Sequence, residues 1–353
     1  MIQSSIKIRP VRITDNNRIN KFFDEVDMPV VPSFVASANP RKLTSPVLKI
    51  HYYLPLGWKI LQEGYVAVEN DNIIGLIAII PDSKTKLRWK IDQFYLKPNA
   101  YDVGKLLIDY IVNKYGAEGV ETFIAELDEM NADAQDLFKN ACGFRFCTRE
   151  YTYKYPLNGE ILPEVDINNF RKMNSSDTEK LYDLYIECLK PQAKISLEKD
   201  PDDFNSGISR FFRNHFNGIE IAQWVLENPE NKSIVAYADI RTVDNTVSHA
   251  CIFTALPYSE YYKDILNYLI NYAGLKNRNA ILHINLCEAI QSYSHFQDII
   301  NKLELELIKS SIILVKDYWR PLKERKPLTT SPIIIFPEGT STAYNPVSTL
   351  KKG

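Results

Sequence analysis

The residues best placed to do chemistry lie in the run Leu96 to Leu107, LKPNAYDVGKLL. An apolar strand stops at Pro98, a short connection follows, and a helix with a Leu/Ile/Tyr face begins near Asp102. A helix start offers backbone N–H groups without intrahelical acceptors and a partial positive charge. A strand–proline–loop–helix junction is therefore suited to hold a pyrophosphate. Gly104 permits close backbone approach and Lys105 adds a cation. Asp102 acts in the opposite sense, placing a carboxylate where phosphates would sit; it also suits a helix cap.

The elements around this junction occur twice. IRPVRITDNNRINKFF (Ile8 to Phe23) is answered by FRKMNSSDTEKLYDLY (Phe170 to Tyr185): a short strand with an early Arg, then Thr-Asp or Ser-Asp, then an amphipathic run. Leu96 to Gly116 is answered by Leu256 to Gly274, with Pro98 and Pro257 expected at equivalent places. A spacing of about 160 residues is far beyond solenoid repeats and predicts two copies of one domain. In the first copy we expect a strand over 5–13 and a helix to Val26. A proline-punctuated region with short helices follows (Pro29, Pro32, Pro40, Pro46, Pro55). A hairpin around Asn70 to Asn72, a strand over 88–96, a helix over 102–115 and a strand over 120–127 come next. A helix over 131–140 should end at Gly143, before one or two closing strands over 144–155. The second copy should place strands over 220–226, 233–240, 249–256 and 280–286. Strands alternating with helices predict a mixed α/β fold with parallel neighbours. The expected boundaries are a first domain over 1–157, a linker over 158–168, a second domain over 169–320 and a Pro/Ser/Thr-rich tail over 321–353. The tail should be irregular, and its apolar run Ile333 to Phe336 should dock on its own chain in preference to a protein partner.

Composition narrows the function classes. The net charge is −2 over 353 residues with acids and bases interspersed, which argues against a nucleic-acid or anionic-membrane surface. Five cysteines form no regular framework, and Cys142 and Cys147 lack the partners of a zinc site, so no metal is expected. Free thiols fit a reducing compartment. With no apolar signal region or membrane-length run, a soluble cytoplasmic protein is expected.

The order of elements, with the Leu96–Leu107 junction, resembles the GCN5-related N-acetyltransferase (GNAT) family over Ile6 to Tyr155. The hairpin VAVENDNIIGLIAI looks like that family's second and third strands. Asn131-Ala132-Asp133-Ala134-Gln135-Asp136-Leu137-Phe138, followed by Cys142-Gly143-Phe144, looks like its N-x-x-A-x-x-L-[YF] … G-F signature. The resemblance implies two tandem GNAT-like domains. Each would have a mixed, mostly antiparallel sheet with a splayed parallel strand pair and flanking helices. It also implies acetyl-CoA in the splay of the first copy, held by Leu96, Val103, Gly104, Lys105 and Asn131, and transfer of acetyl to an amine.

The departures from the family pattern bear on function. The pyrophosphate loop has Asn99 for Arg, Asp102 for the first Gly, and a short connection from Pro98. The general-base position eight residues before the proline holds Lys90, which cannot be a base at ordinary pKa. Asp92, two residues on and on the same strand face, and Glu126, on the neighbouring strand, are the substitutes. Solvated strand carboxylates are the plainer account of both. The position of the family's usual acid, a tyrosine, is Phe138, expected as a buried aromatic. In the second copy His249 falls at the base position, the junction has no glycine, and Glu260 adds negative charge there; that copy should keep the fold without the cofactor grip. Three functions remain open from sequence: an N-acetyltransferase acting in the first half, a non-catalytic tandem binding or assembly module, and aminoacyl transfer from tRNA, which the charge disfavours.

Overall fold

The computed structural model describes residues 6–26, 29–31, 63–82, 87–157, 166–199, 201–204, 219–243, 247–276 and 281–318. The expectations for the proline-punctuated region beyond Val31, for most of the linker and for the C-terminal tail lie outside the described residues. No described helix is long and apolar enough to cross a membrane.

The first half runs β1 (Lys7–Pro10), α1 (Asn16–Asp24), β2 (Glu63–Glu69), β3 (Asn72–Pro81), β4 (Arg88–Leu96), α2 (Tyr101–Glu118), β5 (Thr122–Asp128), α3 (Ala132–Asp136) and β6 (Arg145–Pro156). The second runs β7 (Phe170–Lys172), α4 (Thr178–Cys188), α5 (Pro191–Leu197), α6 (Pro201–Phe204), β8 (Ile219–Glu227), β9 (Ile234–Val243), β10 (Val247–Thr254), α7 (Tyr262–Lys276), β11 (Ile281–Cys287), α8 (Tyr293–Lys302) and β12 (Glu306–Asp317). Local chemistry accounts for the punctuation. Asn70 and Asp71 both take positive φ, as a two-residue hairpin turn between β2 and β3 requires. Gly143, at φ +69°, stops the helical run after α3, and the Phe144 N–H reaches back to the Phe138 carbonyl at 2.9 Å.

The internal repeat is closest at its first motif. Arg9 donates two hydrogen bonds to Asp15, at 2.6 and 2.8 Å, and the Arg12 backbone N–H donates a third at 2.7 Å. Arg171 and Asn174 do the same to Asp177, at 2.7, 2.9 and 2.9 Å. Both carboxylates are almost fully enclosed, at 1% and 2% exposure, so each needs its bidentate arginine to offset desolvation. The parallel pairs repeat as well: Arg88 faces Thr122, and Val247 faces Ile281, each 159 residues later. The proline equivalence needs correction by one residue. A β-bulge inserts Asp92 into β4, since Ile91 faces Ile79 while Gln93 faces Ala78, and β10 runs against β9 without a shift. Beyond the bulge the halves are offset by one, so Pro257 stands one place past the equivalent of Pro98.

All described strands join one twelve-stranded sheet, ordered β1-β2-β3-β4-β5-β12-β6-β11-β10-β9-β8-β7. The closing strands are exchanged between halves, which the sequence did not reveal. β12 lies against β5 of the first half, β6 against β11 of the second, and the two run antiparallel to each other at the centre. The cores follow the exchange. Ile312 and Leu314 of β12 pack into the first half's core with Phe123, Ala125 and Leu127. Tyr153 of β6 packs into the second half's core with Leu282, Ile284 and Leu286 of β11.

A consequence can be measured. Residues 1–168 produced alone lack β12, leaving the β5 edge and the surface under Ile312 and Leu314 bare, at a cost of about 1.5–3 kcal/mol per buried side chain. This fragment should be aggregated or unfolded by sedimentation and circular dichroism. Addition of a peptide spanning residues 304–318 should recover a folded complex.

Candidate functional site

The site forms where β4 and β5 part. They pair in parallel only from Arg88/Thr122 to Ile91/Ala125, and beyond that rung the sheet forks. The bulged Asp92 and Glu126 stand at the two sides of the fork, both nearly enclosed. The bulge interrupts the two-residue alternation, so Asp92 does not simply share the face of Lys90, as its spacing suggested.

Glu126 is pinned. Lys90 Nζ donates to Oε2 at 2.9 Å and Lys309 Nζ, arriving on the exchanged β12, donates to Oε1 at 2.6 Å. Burial alone would raise this carboxyl; the two ammonium charges and their hydrogen bonds overcome it and hold the pKa down to about 2. Lys90 in turn stays protonated: burial opposes its charge, and Glu126 and Glu150 restore it. Neither is a base near neutral pH. The side chain that sequence reasoning missed is Glu150, on β6. It faces Ser311 of β12 and Cys287 of β11 across the sheet, and is half-buried. Burial pushes its carboxyl up to about 7, aided by the charge of Glu126 and opposed by Lys90, Lys309 and Lys199. The signal for it was the polar face Thr148, Glu150, Thr152 and Lys154 on a strand otherwise rich in tyrosine, but the strand's place in the sheet was not legible.

The helix junction is built differently from its sequence expectation. Asn99 takes φ +61° to turn the chain, and α2 is capped at Ala100, not Asp102. The Gly104 N–H donates to the Ala100 carbonyl at 3.0 Å, so the helix leaves only the Tyr101, Asp102 and Val103 N–H groups without an internal acceptor. Of the residues expected to hold the cofactor, Gly104 thus spends its N–H within the helix, and Val103 keeps one without an internal acceptor. Gly104 is buried for packing: a Cβ there would come within 2.7 Å of Leu96 and 2.9 Å of Leu137. Lys105 pairs with Asp109 one turn on. Asn131 caps α3, its side-chain oxygen accepting from the Ala134 N–H at 2.9 Å. Phe138 is enclosed against Phe94 and Phe144, as expected.

Backbone from outside the sheet already enters the fork. Val31 bridges Phe94 in antiparallel fashion: the Phe94 N–H donates to the Val31 carbonyl at 3.1 Å, and the Val30 N–H donates to the Phe94 carbonyl at 2.7 Å. By strand alternation Leu96 turns its N–H and carbonyl to the same side as Phe94.

The second half's fork is closed. α7 buries Tyr262, Ile265, Leu266, Leu269, Ile270 and Ala273 at the spacing with which α2 buries Gly104, Leu107, Ile108, Ile111, Val112 and Tyr115. Tyr262 thus stands in the place of Gly104. Its hydroxyl donates to the Ile252 carbonyl at 3.4 Å, and Ser292 Oγ donates to the Thr254 carbonyl at 3.1 Å. His249 lies against His283 with ring centroids 4.9 Å apart; burial, then His283 and Arg241, depress its pKa to about 4. It is neutral at pH 7, beside a fork that side chains fill.

Comparison with known proteins agrees with this geometry. Residues 38–144 match the Acetyltransferase (GNAT) family. The chain has a tandem GNAT-like fold. Its fold is similar to that of a tandem GNAT protein from the clavulanic acid biosynthesis pathway, solved without AcCoA, at TM-score 0.55 and 10% identity, covering 90% of this chain and 100% of that one. It is also similar to a GCN5-related N-acetyltransferase from Sphaerobacter thermophilus, at TM-score 0.56 and 10% identity, covering 90% and 96%. No curated protein matches the sequence. In the GNAT-like frame the first half has the bulge in β4 and a glycine in α2, and the second has an unshifted β10 and Tyr262 in the glycine's place.

Two measurements follow. Gly104→Ala should lower stability by about 1–2 kcal/mol in chemical denaturation, because crowding against Leu96 and Leu137 outweighs the gain in helix propensity. The two glutamates should titrate oppositely. Glu126 is depressed when folded, so its stabilisation is present above pH 4.5 and fades as pH falls toward 2. Glu150 is raised, so its penalty is absent below pH 4.5 and grows to a plateau above about 7. The melting temperature of Glu126→Gln should fall furthest below that of the unaltered protein at neutral pH. Glu150→Gln should match it at pH 4 and exceed it at pH 8.

Proposed function

We propose that the protein is an N-acyltransferase that moves acetyl from acetyl-CoA to an amine, with donor and chemistry in the first half. The observation that carries this reading is the asymmetry of the forks: the first half has a bulge in β4 and Gly104 in α2, whereas the second has Tyr262 in the glycine's place, with Tyr262 and Ser292 bonded to carbonyls of β10.

The first-half residues fit the donor, through a narrowed slot. The thioester supplies an activated acyl carbon. Leu96 offers a backbone rung in the fork, the N–H groups of Tyr101 to Val103 offer a phosphate contact at the start of α2, and Asp102 weakens that contact by like charge. Val31 holds the Phe94 rung and so sets the inner limit of the slot. Catalysis then rests on positioning and on backbone dipoles in a partly enclosed site. The second half contributes a wall. Leu197 of α5 packs on Ile124, Ile313 and Val315, and Arg88 bonds the Glu198 carbonyl and lies 3.8 Å from Asp203 of α6.

Titration calorimetry tests the reading. Acetyl-CoA should bind with a stoichiometry of one, and Asp102→Ala should tighten binding by about threefold through relief of like charge at a screened site. A stoichiometry of two would move the donor site into the second half as well. An absence of heat and of thermal shift at millimolar acetyl-CoA would leave a non-catalytic binding module.

A further inference from the structure

Glu150 stands apart from the other half-buried and buried carboxylates. Asp15 and Asp177 are held by arginines, Asp82 by Arg88, Asp239 by Arg241 and Glu126 by two lysines. Glu150 makes no side-chain hydrogen bond among the described residues. Its neighbours across the sheet, Ser311 and Cys287, are neutral, and the Cys287 thiol is pushed above its ordinary range by burial. Lys90 and Lys309, two cations beside the fork, are both engaged by Glu126.

The placement also has direction. Glu126 faces Ile313 of β12, and Ser311, two residues along on the same face, pairs with Glu150. Glu150 therefore shares the fork's polar face, two strands from Glu126. The pairing of Tyr151 with Ser310, 159 residues apart, lies on the axis that relates the halves. That axis carries Glu150 onto Lys309. One exchanged strand thus supplies a carboxylate with no hydrogen-bonded partner among the described residues, and its equivalent supplies the ammonium that neutralises Glu126. A half-buried carboxylate in this state is complementary to an ammonium group.

We infer that Glu150 receives the acceptor: its carboxylate binds the ammonium of a primary amine beside the fork and takes the proton that must leave before the nitrogen can attack. This inference rests on the acyltransferase reading for its second half and on the Glu150 site alone for its first. The step balances. One N–H proton passes from the ammonium to Glu150 and the freed lone pair forms the N–C bond to the acyl carbon. The C–S bond breaks, and the second N–H proton goes to the departing sulfur as the thiol. Glu150 then returns its proton to solvent. The groups that face it and set its readiness are Glu126 from β5, Lys90 from β4, Lys309 from β12, Lys199 from the α5–α6 connection and Cys287 from β11.

The test uses the full chain, n-butylamine as the probe amine and acetyl-CoA. At pH 6.5, carbodiimide should couple butylamine to Glu150 far more readily than to Glu126, as read by peptide mass spectrometry; equal or lower labelling of Glu150 overturns the inference. Butylamine-dependent thiol release should rise with pH through a midpoint near 7 to a plateau above it. Glu150→Gln should lose about 10²-fold in kcat together with that rise, at unchanged acetyl-CoA Kd and with a folded melting profile, and Glu150→Asp should recover part of the rate. A Glu150→Gln variant that releases thiol at the unaltered rate overturns the inference. Failure of the unaltered protein to bind acetyl-CoA instead overturns the acyltransferase reading, and the labelling contrast still decides whether Glu150 is the amine site.

Discussion

The pairing of β6 with β12 at the centre of the sheet is the constraint on which the rest depends. Each strand has left its own half, so neither half can complete its sheet without the other. An open β5 edge would present a row of unpaired backbone groups and a bare apolar face. The exchanged strand satisfies both at once: its backbone completes the ladder, and Ile312 and Leu314 fill the core beneath. The same crossing carries Lys309 to Glu126 and brings Glu150 onto the fork's polar face. Folding and site assembly are therefore one event, and long-range pairing rather than local propensity limits it.

The repeat explains both what the halves share and how they have diverged. The buried Arg–Asp pairs at the start of each half are retained because an enclosed carboxylate without its arginine is costly. At the forks no such penalty enforces symmetry. In the second half a tyrosine stands where the first has Gly104, and hydroxyls of Tyr262 and Ser292 meet carbonyls that would otherwise face an open slot. The β4 bulge beside the first fork is the departure that calls for a functional explanation.

Electrostatics at the first fork separates two glutamates that are chemically identical. Glu126 receives two ammonium groups and is fixed as a charge; Glu150 receives burial and a neighbouring negative charge and is left near its titration point. Divergent environments of this kind distinguish an anchoring carboxylate from a proton-transferring one.

Much of this was legible in the residues. The alternation of strand and helix, the Asn70–Asp71 turn, the Gly143 stop and the enclosure of Phe138 follow from local dihedral preference and apolar periodicity, which act over a few residues. The twofold repeat and the likeness to the GNAT fold were legible for the same reason. The sequence also brought Asp92 and Glu126 to one fork, because strand order places them there. What it could not supply was the register and partnering of separate backbone segments. The bulge at Asp92, the entry of Val31 into the fork, and the arrival of Lys309 and Glu150 on exchanged strands depend on how separate backbone segments pair. Side-chain spacing along one strand carries no record of that pairing, so only the tertiary structure could decide which carboxylate is pinned and which is left to act.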